Sequence, residues 1–373
     1  MATAPHDPPF RADHVGSLLR PAEVIAARER FEKGEIGTAQ LKAIEDKAIK
    51  DVVAFQEGLG LEVVTDGEFR RSTYSENFTT HGLKGVVAEN SGDGDWEYQD
   101  ASGDRLPARV PMVKSRIEWA GPTNVASFTY LKSITKKTPK LTMPGPCYIH
   151  YRAGPAHISK DAYPSLDAFW ADLISAYHKE MQALAAAGCR YLQLDETSIP
   201  KLADPKIQRA LAARGDDWRH LLEMYTDVIN TVVAGAPKEI SIGMHLCRGN
   251  KRGHWQAEGG YEEVADKLFR KVNVGFYFLE YDSPRAGSFE PLRKVPDDKC
   301  VVLGLVSTKT AKLEDKELLK SRIAEASKFI AHDRLCISPQ CGFSSSVIGV
   351  LDQAQQKAKL DRVVEVAKEV WGG

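Results

Sequence analysis

The chain has 373 residues, with 50 Lys and Arg against 51 Asp and Glu and a formal net charge of -1. Hydrophobic and charged shares of 43% and 27% are those of a folded globular chain and exclude disordered and fibrous classes. A near-zero balance removes any whole-chain electrostatic reason to bind nucleic acid or an anionic membrane, and no apolar run approaches the roughly 18–20 residues of a bilayer span. The N-terminal MATAPHDPPF has neither the basic flank nor the apolar stretch of a signal peptide, so the expected compartment is the cytoplasm. In that reducing setting, the scattered Cys147, Cys189, Cys247, Cys300, Cys336 and Cys341 argue for metal or thiol chemistry rather than a disulfide framework.

In chain order, an N-terminal arm with a helix over 22–33 precedes the main pattern. Short β-prone runs follow one form, four to six apolar residues and then a polar or small one. They lie at 10–17, 61–68, 140–146, 191–196, 240–247, 275–282, 300–307 and 335–341. Most are too continuously apolar for half-exposed strands and suit a parallel sheet buried on both faces. Helical periodicity fills the gaps over 40–59, 166–187, 216–233, 261–269, 315–330 and 347–370, with Gly188 as a C-cap for the second of these. Eight strand–helix alternations predict an α/β fold, a single (β/α)8 TIM barrel spanning 1–373. A doubly wound sheet is the rival, but no GxGxxG follows the first strand. The stretch 85–138 breaks the rhythm. It is rich in Gly, Asp and Ser over 90–104, then alternates polar and apolar over 110–119 and 125–131. It reads as a β-hairpin-like insertion after strand 2, either a solvent-exposed decoration or a lid.

In such a barrel the site lies at the C-terminal ends of the strands. The terminal residues there are His14 and Ser17, Asp66 and Glu68, 144–146, Asp195 and Glu196, His245 and Cys247, Glu280 and Asp282, Ser307, and Cys341. His245-Leu246-Cys247 alternates on a strand, so imidazole and thiolate point the same way and grip one metal. Glu280 and Cys341 complete four ligands, a set that suits Zn²⁺ in softness and number. Two thiolates and a carboxylate leave zinc poor at acidifying water and suited to activating a thiol, which favours alkyl transfer to sulfur. The bland alternative is that the cysteines are buried small hydrophobes and His245 a satisfied core residue.

At these residues the sequence resembles the cobalamin-independent methionine synthase family, specifically its catalytic C-terminal barrel and its short single-barrel relatives. HVGSLLRP (14–21), VVTDGEF (63–69), PGP (144–146), LQLDET (192–197), HLC (245–247), Glu280 and SPQCG (338–342) carry the likeness. The resemblance implies a zinc-dependent methyltransferase that gives methionine from homocysteine. Ser17 would hold the amino-acid carboxylate, Glu68 and Asp195 the ammonium, and His245, Cys247, Glu280 and Cys341 the zinc. Structural alternatives stand beside these roles: Glu68 paired to Arg70 or Arg71, Asp195 capping a loop, Ser17 as a turn residue.

Two departures leave the methyl donor open. The family's histidine after the seventh strand, thought to deliver a proton to the donor, is replaced by the run Leu305–Thr310 without one. Its pterin-stacking tryptophan is absent from 148–152, where His150 or Tyr151 would substitute. Methylfolate has a poor leaving group, so protonation at N5 is demanding. Candidate donors are 5-methyltetrahydrofolate and its polyglutamate, protein-bound methylcobalamin, or a small methylated metabolite. Alternative activities are thiol alkylation of the epoxyalkane:coenzyme M transferase type, disfavoured by Glu68 and Asp195, and non-catalytic zinc or methionine binding. The basic loop 249–254 would greet an anion or be solvated. Trp255 and Phe343 would wall the pocket or pack. Cys147, Cys189, Cys300 and Cys336 are expected to be inert.

Overall fold

The computed structural model describes residues 8–90, 97–107, 109–345 and 349–372. The chain enters along 10–17 and turns into helices α1 (Ala22–Glu32) and α2 (Thr38–Gly58). Strand β1 (Val63–Val64) leads to an antiparallel excursion of β2 (Leu83–Asn90), β3 (Tyr98–Gln99), β4 (Arg105–Leu106) and β5 (Arg109–Trp119). Alternation resumes with α3 (Val125–Ser133), β6 (Thr138–Pro144), α4 (Tyr148–Ala153), α5 (Leu166–Ala186) and β7 (Tyr191–Asp195). It continues through α6 (Pro205–Ala213), α7 (Trp218–Ala234), β8 (Ser241–Leu246), α8 (Ala265–Lys271) and β9 (Phe276–Glu280). Strand β10 (Cys300–Val306), helix α9 (Lys316–Ala326), strand β11 (Leu335–Pro339) and helix α10 (Gln353–Trp371) complete it.

Seven strands form one parallel sheet in the order β1-β6-β7-β8-β9-β10-β11. Every residue of β7, β9 and β11 is buried, as a sheet covered on both faces requires. The segment 10–17 takes the eighth position. Its Asp13 N–H donates to the Ile337 carbonyl at 3.1 Å, and the Ile337 N–H to that of Arg11 at 2.9 Å. At the other end Thr65 Oγ1 donates to the Gly16 carbonyl at 2.6 Å and the Leu18 N–H to that of Gly67 at 3.1 Å. The last strand is thereby joined to the first, and the sheet curls into a TIM-type barrel. The segment bridges β11 at Ala12 but is not a regular strand, because Gly16 sits at φ +139° and breaks the extended run. A side chain there would approach the Thr142 methyl to 2.7 Å.

A polar plug ties this segment to the barrel interior. Lys140 Nζ pairs with Asp13 Oδ1 at 2.7 Å, both side chains fully buried, and Tyr191 Oη donates to Asp13 Oδ2 at 2.7 Å. Gln193 Nε2 donates to the Val15 carbonyl at 2.7 Å.

Several expectations shift. The excursion after the second barrel position is a hairpin, β2 against β5, but it ends at Trp119 rather than at 138. The stretch 125–131 is helical, since Phe128 and Leu131, three apart, are the residues buried, and Leu131 joins the core of Val52 and Val64. The helix expected over 261–269 begins at Ala265, with Tyr261 in the preceding turn, and that over 315–330 ends at Ala326. The last helix starts at Gln353, behind an Asp352 capping box, while 346–348 lie outside the described residues. Part of the Gly- and Asp-rich stretch, 91–96, lies outside them too. Helices α4 and α6 carried no expectation.

The hairpin leans onto the loop after β8. Gln99 and Trp255 exchange backbone hydrogen bonds at 2.7 Å each, Lys251 Nζ donates to the Pro107 carbonyl, and His254 Nε2 meets Asp104 Oδ2 at 3.1 Å. The basic loop is therefore a docking surface for the hairpin. No helix among the described residues is long and apolar enough to cross a membrane.

Candidate metal centre and substrate pocket

Strand β8 ends in His245 and Leu246, and Cys247, two residues on from His245, emerges on the side of His245. Cys341 follows β11. One ligand atom from each of the three lies within 4.8 Å of the others, and the two sulfurs are 3.9 Å apart. All three residues are buried, and neither ring nitrogen of His245 has a hydrogen-bond partner. Orphaned buried nitrogens beside two sulfurs are the arrangement a soft divalent metal satisfies. The hydrogen bond from Cys341 holds Cys247 well below the ordinary thiol range and, with burial, pushes Cys341 well above it. Burial by itself would lower His245; the charge on Cys247 outweighs it and raises the imidazole.

Glu280, the fourth expected ligand, stands apart from this group. Its Oε2 accepts the Arg248 N–H at 2.7 Å, and its Oε1 meets Arg285 Nη2 at 2.6 Å and Lys309 Nζ at 3.1 Å. Burial would raise this carboxyl, but Lys309, Arg248 and Arg285 hold it below its ordinary value. Lys309 belongs to the seventh-strand loop that lacks the family's histidine, and it serves Glu280.

A cavity of about 140 Å³ opens over the triad. Ser17, Glu68 and Asp195 line it together with His245, Cys247 and Cys341, so six of the seven expected site residues meet there. Ser17 lies so close to Gly342 that a Cβ on that glycine would stand 1.9 Å from its Oγ. Glu68 has φ +61°, an uncommon conformation for a residue with a side chain. Arg20 secures that turn, its Nη2 donating to the carbonyls of Glu68 at 2.9 Å and Arg71 at 2.6 Å. Glu68 does pair with Arg71, at 2.8 Å, and accepts from Thr142 Oγ1 at 2.9 Å. Both contacts use Oε1; Oε2 is buried without a partner. Strain plus an orphaned acceptor is the mark of a residue placed for a ligand.

Asp195 does not cap the following loop; Glu196 does, accepting the Ser198 N–H at 2.9 Å and that of Cys147 at 3.2 Å. Asp195 Oδ1 accepts from Gln193 at 2.7 Å. Burial pushes its carboxyl up to about 7, with His245 opposing and Glu68 adding to the rise.

Neither His150 nor Tyr151 faces the cavity. His150 is buried against Phe169 and Trp170, its Nδ1 3.0 Å from Tyr225 Oη. On helix α4, residues four apart share a face, so Tyr148 and Arg152 are the pair that line the pocket. Sequence reasoning missed both, along with Tyr74, Tyr98 and Lys201. The helical spacing after PGP was the available signal for Arg152. Trp255 and Phe343 do not line the cavity: Arg285 covers the Trp255 ring at 4.4 Å, and Phe343 packs in the core. Burial raises the thiols of Cys147, Cys189, Cys300 and Cys336, as unreactive cysteines require.

Fold and site together define a parallel (β/α) barrel with a cysteine- and histidine-rich group able to hold a metal, and paired carboxylates, at the C-terminal ends of its strands. The family described as cobalamin-independent synthase, catalytic domain, matches residues 10–369, and the chain belongs to that family of methionine-synthase-type methyltransferases. The chain is 40% identical to uncharacterized protein YxjH of Bacillus subtilis, over 97% of this chain and 95% of that one. It is 25% identical to the 5-methyltetrahydropteroyltriglutamate–homocysteine methyltransferase of Bacillus velezensis, covering 95% of this chain and 42% of the enzyme. Its fold matches a solved structure from Listeria monocytogenes, described as a candidate vitamin-B12-independent methionine synthase, at TM-score 0.77 and 34% identity, covering 98% and 99% of the two chains. A B12-independent methionine synthase from Shewanella sp. W3-18-1, in complex with selenomethionine, shares the fold at TM-score 0.73 and 20% identity, over 96% and 97% of the chains.

Proposed function

We propose that this chain is a zinc-dependent methyltransferase that methylates the thiol of homocysteine to give methionine. The observation that carries this reading is one pocket lined by both the His245, Cys247 and Cys341 triad and the carboxylates of Glu68 and Asp195. Held by the Cys247 and Cys341 thiolates and the His245 imidazole, zinc would lower the pKa of a substrate thiol while leaving its sulfur electron-rich and nucleophilic. Glu68 Oε2 accepts an ammonium N–H, and Arg71 on Oε1 holds that carboxylate in place. Asp195, raised by burial, regains its charge when a cation arrives beside it. Ser17 takes the substrate carboxylate. Glu280 would serve as a fourth ligand only by giving up its ion pairs with Arg285 and Lys309. In the transfer the sulfur lone pair forms the S–CH₃ bond as the methyl–donor bond breaks, and that electron pair leaves with the donor.

A selenomethionine complex of a protein with this fold supports an amino-acid pocket. A sulfonated thiol acceptor is disfavoured, because anions stand at the strand ends where its head group would lie. The test is metal content with activity. Cys247→Ser and Cys341→Ser should each lose bound zinc and homocysteine methylation together. Full stoichiometric zinc in either variant would refute the metal assignment.

A further inference from the structure

Beyond the strand ends the pocket changes sign. Asp195 is the last residue of β7, whereas Lys201 lies six residues further on, in the short turn Ile199–Ala203. Arg152 lies near the C-terminal end of α4, on the pocket-lining face it shares with Tyr148, its guanidinium 5.6 Å from the Tyr98 ring. Both cations line the cavity, and they are 1% and 5% exposed. Among the described residues, Lys201 Nζ has no hydrogen-bond or ion-pair partner and lies 5.4 Å from the centroid of the Tyr151 ring. Two buried cations, one on α4 and one in the turn after β7, are costly unless an anion joins them. Burial and the neighbouring Arg152 push the Lys201 ammonium down to about 7, a cost that a bound anion relieves.

We infer that Arg152 and Lys201 form an oxyanion subsite for the second substrate, so that the methyl donor carries a carboxylate or a similar oxyanion there. This rests on the methyl-transfer reading, which assigns the acceptor to the strand-end layer. Among the described residues no tryptophan lines the cavity; on helix α4 a guanidinium does, and it binds oxyanions in its plane. Tyr98 and Tyr148 add hydroxyls and apolar walls around the same space.

Calorimetric titration of the zinc-loaded protein tests this, with malonate, inorganic phosphate and methanesulfonate as probes, each with and without saturating homocysteine. At least one probe should bind in both conditions with a Kd of about 1 mM or tighter, and the probe that binds best names the class of oxyanion. Lys201→Met and Arg152→Gln should each weaken it by about tenfold or more, as loss of a charge-assisted contact does, while zinc content and homocysteine affinity hold. Lys201→Arg and Arg152→Lys, which keep the charge, should retain binding and control for folding. Absence of binding by all three probes overturns the inference. So does competition by homocysteine, which would give these cations to the acceptor's own carboxylate. Lys201-dependent anion binding in a protein that ignores homocysteine supports the subsite and fails the methyl-transfer reading.

Discussion

At the scale of single residues, the site is a set of buried groups whose hydrogen-bonding capacity is only half used. Glu68 spends Oε1 on Arg71 and Thr142 and leaves Oε2 open, and His245 leaves both nitrogens open. Those vacancies are directional, so they say where a ligand atom goes. Other buried groups mark the core instead. His150 is held down to about 3 by burial and by Arg214, against an ordinary 6.5. Below pH 6.5 the unfolded chain takes up a proton that the folded one refuses until about pH 3. The stability this residue contributes is therefore complete above 6.5 and lost progressively as pH falls through that window. The expected slope is up to about 1.4 kcal/mol per pH unit from this one group. His150→Gln, which can still bond Tyr225, should flatten the fall of the unfolding midpoint between pH 7 and 5. An unchanged slope would mean that His150 titrates normally.

Elements decide which residues reach the pocket. The run after PGP reads as aromatic and basic in sequence, and only its helical form separates Tyr148 and Arg152 from the buried His150 and Tyr151 between them. The hairpin matters in the same way. Its tip residue Tyr98 enters the pocket because Gly249, at φ +105°, lets the backbone pass close; a Cβ there would stand 2.8 Å from the ring. Of the two readings of the 85–138 stretch, decoration or lid, this packing favours the lid. Tyr98→Ala should therefore expose Cys247 and Cys341 of the metal-free protein. Maleimide labelling of those two thiols should accelerate severalfold, while the unfolding midpoint drops by only about 2–4 °C for the loss of one half-buried ring. Labelling at the wild-type rate would show that the hairpin does not gate the site.

The whole molecule depends on closing the barrel with a segment that is barely a strand. The 10–17 stretch makes few ladder bonds, and the buried Lys140–Asp13 pair with Tyr191 anchors it to strands far away in sequence. Lys140→Met leaves Asp13 as an uncompensated buried charge and should cost about 3–5 kcal/mol in urea unfolding. Adding Asp13→Leu should return much of that loss, because two apolar residues of similar bulk suit the same space. If the single variant unfolds like the wild type, the plug is not what holds the first segment in place.

The eight-fold alternation, the buried parallel strands and the polar strand ends were legible in the sequence, because strand burial and helix periodicity are local patterns and the barrel rule converts them into a shared site. His245, Cys247, Cys341, Ser17, Glu68 and Asp195 could be named that way, each standing at the C-terminal end of a barrel strand or in the first residues beyond it. Tertiary structure alone decided the rest: that Glu280 rests on Lys309 and Arg285, that Glu196 rather than Asp195 caps its loop, and that Arg152, Lys201 and Tyr98 meet over the site. Those contacts join loops and a hairpin with no common period, so their meeting is set by packing across the molecule rather than by any spacing along the chain.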